Sequence, residues 1–263
     1  MDKAWVIARK EWAEIFKNRL VLFTVSFLPL MLTALPLAVL YAMRGSEATA
    51  EATLADLPPA FAALCGDLSG GECAQYFFVS QFMLLFMLLP LAIPSTIASY
   101  SIVGEKTTRT LEPLLATPIS TIELLAGKAL AAVLPAVAAT WGAFLLFAAG
   151  ALALSISPAV VARLVDPLWL MAVFVVGPLL AGASVSVAVM ISSRVTDPRV
   201  AEQVSVLVIL PLLGLFFGQI TGLLIFNRSL VLGIAAVMLV VDAVLITLAA
   251  RLFQRETILT RWR

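Results

Sequence analysis

Reactive side chains crowd into one stretch of this chain. From Gly104 to Lys128 the sequence reads GEKTTRTLEPLLATPISTIELLAGK, which sets Glu105, Lys106, Arg109, Glu112, Glu123 and Lys128 among hydroxyl residues, between two long apolar runs. Phosphate binding is the first chemistry to weigh. A loop of the form G-x-x-x-x-G-K-[ST] needs glycine directly before its lysine so that backbone N–H groups can close on the phosphates. Here Lys106 follows Glu105, and Gly127-Lys128 is followed by Ala129. The chain therefore does not hydrolyse ATP by itself. It has no histidine, which removes His-based triads, H-E-x-x-H zinc sites and most transition-metal cages. There is no G-x-S-x-G, and no set of carboxylates, serines and cysteines converges in the sequence, so an intramembrane enzyme has no support. Met83 and Met87 stand one helical turn apart and read as packing residues, not copper ligands.

The elements that carry these residues are membrane spans. Of 263 residues 62% are hydrophobic and 13% charged, and the mean hydropathy is +1.07. A bilayer core of roughly 30 Å takes about 20 helical residues to cross. Six runs of that order lie near Leu20 to Met43, Tyr76 to Ser99, Leu125 to Leu154, Leu168 to Ser192, Val204 to Phe226 and Leu230 to Ala250. They lack the alternation of barrel strands, so the backbone has to satisfy itself as helices. The first run has no convincing small-residue cleavage site and is read as a span, not a signal peptide. The fold class is an all-α integral membrane protein.

Basic residues orient it. Lys3, Arg9, Lys10, Lys17 and Arg19 precede span one; Lys106, Arg109 and Lys128 lie between spans two and three; Arg194 and Arg199 between four and five; Arg251, Arg255, Arg261 and Arg263 after six. Only Arg44, Arg163 and Arg228 fall on the other side. Both termini are thus expected in the cytoplasm of a multi-pass protein of the inner (plasma) membrane. The external loop 44–75 carries the only two cysteines, Cys65 and Cys73. They read as a small disulfide loop, worth about 2 to 3 kcal/mol, or as two unpaired thiols.

Residues 1–19 are too polar to cross. At 100° per residue Trp5, Ala8, Trp12, Ile15 and Phe16 share one face and Lys3, Lys10 and Lys17 the other, the pattern of a helix lying in the headgroup plane. Its role is membrane anchoring, alone or together with contact to a partner. Pro29, Pro36, Pro90, Pro94, Pro135, Pro178 and Pro211 fall inside spans and each removes a backbone donor. Gly177, Gly182, Ala183 and Ser186 give span four a small-residue face for close packing. Pro211, Gly214, Gly218 and Gly222 break up span five.

Within the polar stretch, Glu105 to Glu112 is compatible with a short helix having Leu111, Leu114 and Leu115 along an apolar edge, and Thr117-Pro118 reads as a break. Ser120-Thr121-Ile122-Glu123 is an S-x-x-E capping box that starts span three.

Glu105, Thr110-Leu111-Glu112, Leu114-Leu115, Thr117-Pro118, the Ser120-to-Glu123 box and Gly127-Lys128 together resemble the cytosolic loop of ABC-2 type exporter permeases. Arg9-Lys10-Glu11-Trp12 before span one and Asp197-Pro198 before span five are similar to the same family. The resemblance implies an elbow helix over 1–19 and a six-span permease domain over 20–263, with a coupling loop at 100–124. Gly104, Glu105, Thr110, Leu111, Glu112, Leu114, Leu115, Thr117 and Pro118 would dock on a cytosolic ATPase present in two copies. Trp5, Lys10, Glu11, Trp12 and Phe16 would form the elbow helix beside that loop. The resemblance further implies a dimer, homomeric or with a related chain, and no cofactor in this chain: ATP and Mg would be bound by the partner ATPase. Nucleic acid plays no part.

Intramembrane polar residues bear on the substrate. Asp242 sits near the middle of span six, where an ionised Asp costs about 2.5 to 3.5 kcal/mol. It either faces a translocation pathway or is a neutral packing residue. Gln81 and Gln219 are lesser pathway candidates. The otherwise apolar interior fits a lipophilic or amphiphilic substrate. The rival reading, an ATP-independent secondary transporter or ion channel, needs paired intramembrane charges or broken-helix ion sites.

Overall fold

The computed structural model describes residues 2–45, 61, 65–107, 119–224 and 226–252. Among them there is no strand. Six helices are long and apolar enough to cross a bilayer: Val21–Met43, Gly70–Glu105, Ile122–Leu154, Pro158–Ser192, Pro198–Ile220 and Arg228–Leu252. The all-α, six-span reading stands, and the differences are at the ends.

Helix α1, Asp2–Ile15, precedes α2, Arg19–Met43, the first span. The second span comprises α3, Gly70–Leu85, a 3-10 turn Phe86–Leu88, and α4, Leu89–Thr107. It starts at Gly70 and not at Tyr76, because Ser69 and Glu72 form a reciprocal capping box. The loop expected over 44–75 is shorter by that margin. The third span is α5, Thr121–Leu154, and it begins at the expected box, with Ser120 Oγ accepting from Glu123 N and the Glu123 carboxylate accepting from Ser120 N. The fourth combines α6, Pro158–Leu164, α7, Pro167–Met171, a π-turn Ala172–Val176, and α8, Gly177–Ser192. The fifth joins α9, Pro198–Ser205, a 3-10 turn Val206–Ile209, and α10, Leu210–Ile220. It starts earlier than Val204 because Asp197 caps it and Pro198 sits at its first turn, where a missing N–H costs nothing. It ends at Ile220, before a turn through Gly222 at φ +72°. The sixth is α11, Arg228–Leu252.

The prolines explain the irregular turns. Each leaves the carbonyl four residues back without its donor. For Pro90 that carbonyl is Phe86 O, which the tightened turn gives to Leu89 N; for Pro211 it is Leu207 O, given to Leu210 N. Before Pro178 the Gly177 N–H reaches back to Ala172 O, so Val173 O has no backbone donor, and the Trp141 indole supplies one at 3.3 Å. Pro29, Pro36, Pro94 and Pro135 stay within unbroken α-helix.

Spans two and four form the centre. In their most apolar windows 56% and 50% of residues are buried, against 28% for span one and 17% for spans five and six, so the last three turn their apolar surface outward. α4 packs on α5 and on α8, around Phe86, Leu89, Ile93, Ile97, Phe144 and Phe147. Ser184 Oγ of α8 donates to Leu91 O of α4, while Gly182, on the small-residue face of span four, packs against Asp242 of α11.

Candidate functional site

The polar residues meet where α1, the end of α4 and the start of α5 converge. α1 crosses α5 at Gly127, where a Cβ would lie 2.7 Å from Ile7 Cβ and 2.8 Å from Ala4 O. Only glycine admits that approach. The close crossing carries Glu11 to Lys128. Lys128 Nζ lies 3.0 Å from Glu11 Oε1, 2.7 Å from Glu105 Oε2 and 2.8 Å from Ser101 Oγ. Ser101 Oγ in turn donates to Glu11 Oε2. Lys10 Nζ completes the cluster at 2.9 Å from Glu105 Oε1, with Glu14 Oε2 at 3.6 Å.

Two ammonium groups thus face two carboxylates that are buried with Lys128, and the charges balance. A buried ion has to be paired and hydrogen-bonded to be tolerated. Lys10 is the partly exposed member: burial pushes its pKa down, but the hydrogen bond to Glu105 and the charges of Glu105, Glu11 and Glu14 outweigh this and raise it. Lys10 therefore remains a cation at neutral pH.

α1 is also tied by an indole. Pro135 deprives Ala131 O of its donor, and Trp12 Nε1 donates to that oxygen at 2.9 Å. The buried face of α1 is Ala4, Ile7, Ala8, Glu11 and Ile15. This corrects the expected face: Ala8 and Ile15 turn into the protein, while Trp5 and Phe16 stay exposed and Trp12 lies between. Glu11 belongs to the buried face because its carboxylate pairs with Lys128 at 3.0 Å.

Glu105 also differs from expectation. The resemblance implies a surface offered to a partner, yet the Glu105 carboxylate is only 8% exposed and turned to Lys128 and Lys10. Gly104 lies one residue earlier in α4, with open space where a Cβ would stand. Thr110, Leu111, Glu112, Leu114, Leu115, Thr117 and Pro118 lie outside the described residues.

The pathway candidates do not come together. Asp242 is buried against Gly182 of α8, where a Cβ would come within 3.3 Å of Oδ2, and its Oδ1 has no hydrogen-bond partner. Gln81 Nε2 donates to Phe77 O at 3.4 Å, and Gln219 is buried with Oε1 unpartnered. No hydrogen bond links these three among the described residues. At the opposite end from the ion cluster, Cys65 and Cys73 are joined as a disulfide with Cα atoms 5.5 Å apart, the turn passing through Gly66 at φ +57°.

Sequence reasoning gave Lys128 no site role and missed Ser101, Gln75 and the Thr96–Glu202 pair. A signal existed for Lys128: it lies inside the run placed at Leu125 to Leu154, and a lysine there demands a counter-charge. Gln75 bridges two helix ends, donating to Leu40 O and accepting from Ile156 N at 3.0 Å. Thr96 Oγ1 donates to Glu202 Oε1 at 2.6 Å, tying α9 to α4.

Searched against curated proteins, the chain matches none. The family model for the ABC-2 family transporter protein matches residues 5–230, a stretch that takes in most of α1, the ion cluster and the first five spans. With six apolar helices and a match over most of its length, the chain belongs to the ABC-2 family of membrane transporter proteins.

Proposed function

We propose that this chain is the permease subunit of an ATP-driven exporter, coupled to a separate cytosolic ATPase through the segment 104–120. The observation that carries this reading is the ion cluster at the base of that segment. Lys128, Glu11, Glu105 and Lys10 bind α1 to both helices from which the segment hangs. A load applied to 108–118 is therefore delivered to spans two and three and to α1 as one body, the mounting that a docking element requires. Glu112, Leu111, Leu114 and Leu115 supply the contact, and each buried leucine is worth about 1.5 to 3 kcal/mol.

In this reading two permease chains, identical or related, pair with two ATPase copies that bind ATP and Mg. Closure of the ATPases rocks the permeases between inward-open and outward-open states. The basic asymmetry puts both termini in the cytoplasm and the disulfide loop outside the inner membrane. An interior almost without charge favours a lipophilic or amphiphilic cargo.

The test is the double variant Glu112→Lys/Leu115→Asp, purified with the cognate ATPase. Expected are normal insertion and thermal stability of the permease, with loss of ATPase association and of substrate-stimulated ATP turnover. Turnover and association equal to the parent protein would refute coupling through this segment.

A further inference from the structure

Spans five and six follow one another in sequence, yet α10 and α11 scarcely touch: α10 packs on α3, and α11 on α8. Between them is a cleft of about 470 Å³. Its floor comes from spans two and four, and its walls from Leu207, Pro211 and Leu215 on one side and Ile234, Met238 and Val241 on the other. The floor is buried, whereas most of the residues that spans five and six contribute are half-buried or exposed, so the cleft opens sideways between those two spans. Every lining side chain is apolar.

Water has no partner in such a space. Left empty, its walls lose the dispersion contacts that close packing provides. An apolar occupant restores them. The shape selects a chain: lining residues recur along α11 from Val231 to Leu245 at helical spacing, which at 1.5 Å per residue is about 21 Å. One leaflet offers roughly half of the ~30 Å hydrocarbon core, so an extended acyl chain of bilayer length fits lengthwise.

One end carries charge. Arg228 opens α11, between the lining residues Phe226 and Val231; it is exposed and has no ion pair among the described residues. The adjacent Asn227 caps the helix, accepting from Leu230 N at 2.8 Å. The guanidinium and the positive end of a long helix both favour an anion there. Phe226 is fixed at that end by stacking on Trp169, with centroids 6.2 Å apart and planes 10° from parallel. We infer that the cleft between spans five and six binds a phospholipid, one acyl chain lying between α10 and α11 and the headgroup phosphate held at Arg228. This site lies within one chain and requires neither the ATPase nor a second permease copy.

The probe is phosphatidylglycerol carrying a diazirine on one acyl chain, added to the purified full chain, irradiated, and mapped by peptide mass spectrometry. Labelling is expected within 207–215 and 231–245, and unlabelled phosphatidylglycerol should compete it away. Ile234→Trp should cut labelling at least about tenfold, the effect of unburying two or more methylenes. Met238→Trp repeats the test if the first variant unfolds at a lower temperature than the parent. Arg228→Gln should weaken labelling by phosphatidylglycerol about fivefold while leaving a headless diazirine alkane unaffected. Three results overturn the proposal: labelling indifferent to both tryptophans, label spread evenly over the outer faces of the spans, or Leu207→Cys crosslinking to Met238→Cys of a second copy, which would mean that another permease fills the cleft.

Discussion

The junction of α1, α4 and α5 and the outer pair of spans five and six respond differently to the same problem. In each a proline strips a helix carbonyl of its donor. In span five the repair is local, with Leu210 N–H turning to Leu207 O in a tightened turn. At the junction the repair comes from another element, Trp12 of α1 reaching Ala131 O of α5. Charge follows the same division: the junction buries Glu11, Glu105 and Lys128 and pairs them with one another and with the partly exposed Lys10, while span six buries Asp242 without a partner among the described residues. Cross-ties make one region a rigid body. In the other, α10 and α11 scarcely touch and leave a cleft between them.

The largest effect should come from removing the central cation. Lys128→Met keeps the length of the side chain but leaves Glu11 and Glu105 facing each other with only the partly exposed Lys10 for compensation. Removing one partner of a buried ion pair typically costs about 3 to 5 kcal/mol. Thermal unfolding of the purified chain should show a correspondingly large fall, most of it recovered in Lys128→Met/Glu11→Gln/Glu105→Gln, where no unpaired charge is left. An unfolding midpoint equal to the parent's in the single variant would show that the ions do not hold the junction.

Gly127→Ala tests the crossing itself. The new Cβ meets Ala4 O at 2.8 Å and Ile7 Cβ at 2.7 Å, so α1 has to move off α5. Overpacking of this kind costs about 1 to 3 kcal/mol. Gly142, in the same helix, has nothing within 4 Å of a Cβ. Gly142→Ala should therefore be neutral or slightly stabilising through helix propensity. Equal responses at the two glycines would remove the distinction between crossing and open surface.

How much of this was legible in the sequence varies with the physics involved. Span number followed from apolar length, and the start of α5 from the Ser120 and Glu123 box, because both are local properties. The starts of spans two, four and five were misplaced, span four most of all, since Leu168 was expected and its first helix begins at Pro158. Ser69 with Glu72, and Asp197 with Pro198, are equally local start signals, but they lie beyond the hydropathy edge that set the boundaries. The site was read only in part. Gly127 and Lys128 were noticed as a pair, but what each does depends on α1 arriving from more than a hundred residues away in the chain, and no spacing rule contains that contact. Trp12 illustrates the same limit: an indole near a membrane surface reads as an interface anchor, and its bond to Ala131 O exists only because Pro135 lies one turn further along another helix.

That dependence gives the last and smallest of the expected effects. Trp12→Phe keeps an aromatic ring but removes the only side-chain donor bonded to Ala131 O among the described residues, and an unsatisfied buried polar group costs about 1 to 3 kcal/mol. Pro135→Ala restores the N–H of residue 135, which lies one helical turn from Ala131 O and can donate to it. In that background Trp12→Phe should lose most of its penalty, so the double-mutant cycle should give a coupling of about 1 kcal/mol. Trp5→Phe serves as the control: Trp5 is 47% exposed and touches Trp12 edge-on at 5.4 Å, and exposed substitutions of this type usually stay within about 0.5 kcal/mol. Additive unfolding free energies for Trp12→Phe and Pro135→Ala would mean that the indole does not stand in for the missing amide, and the junction would lose the cross-tie that distinguishes it from spans five and six.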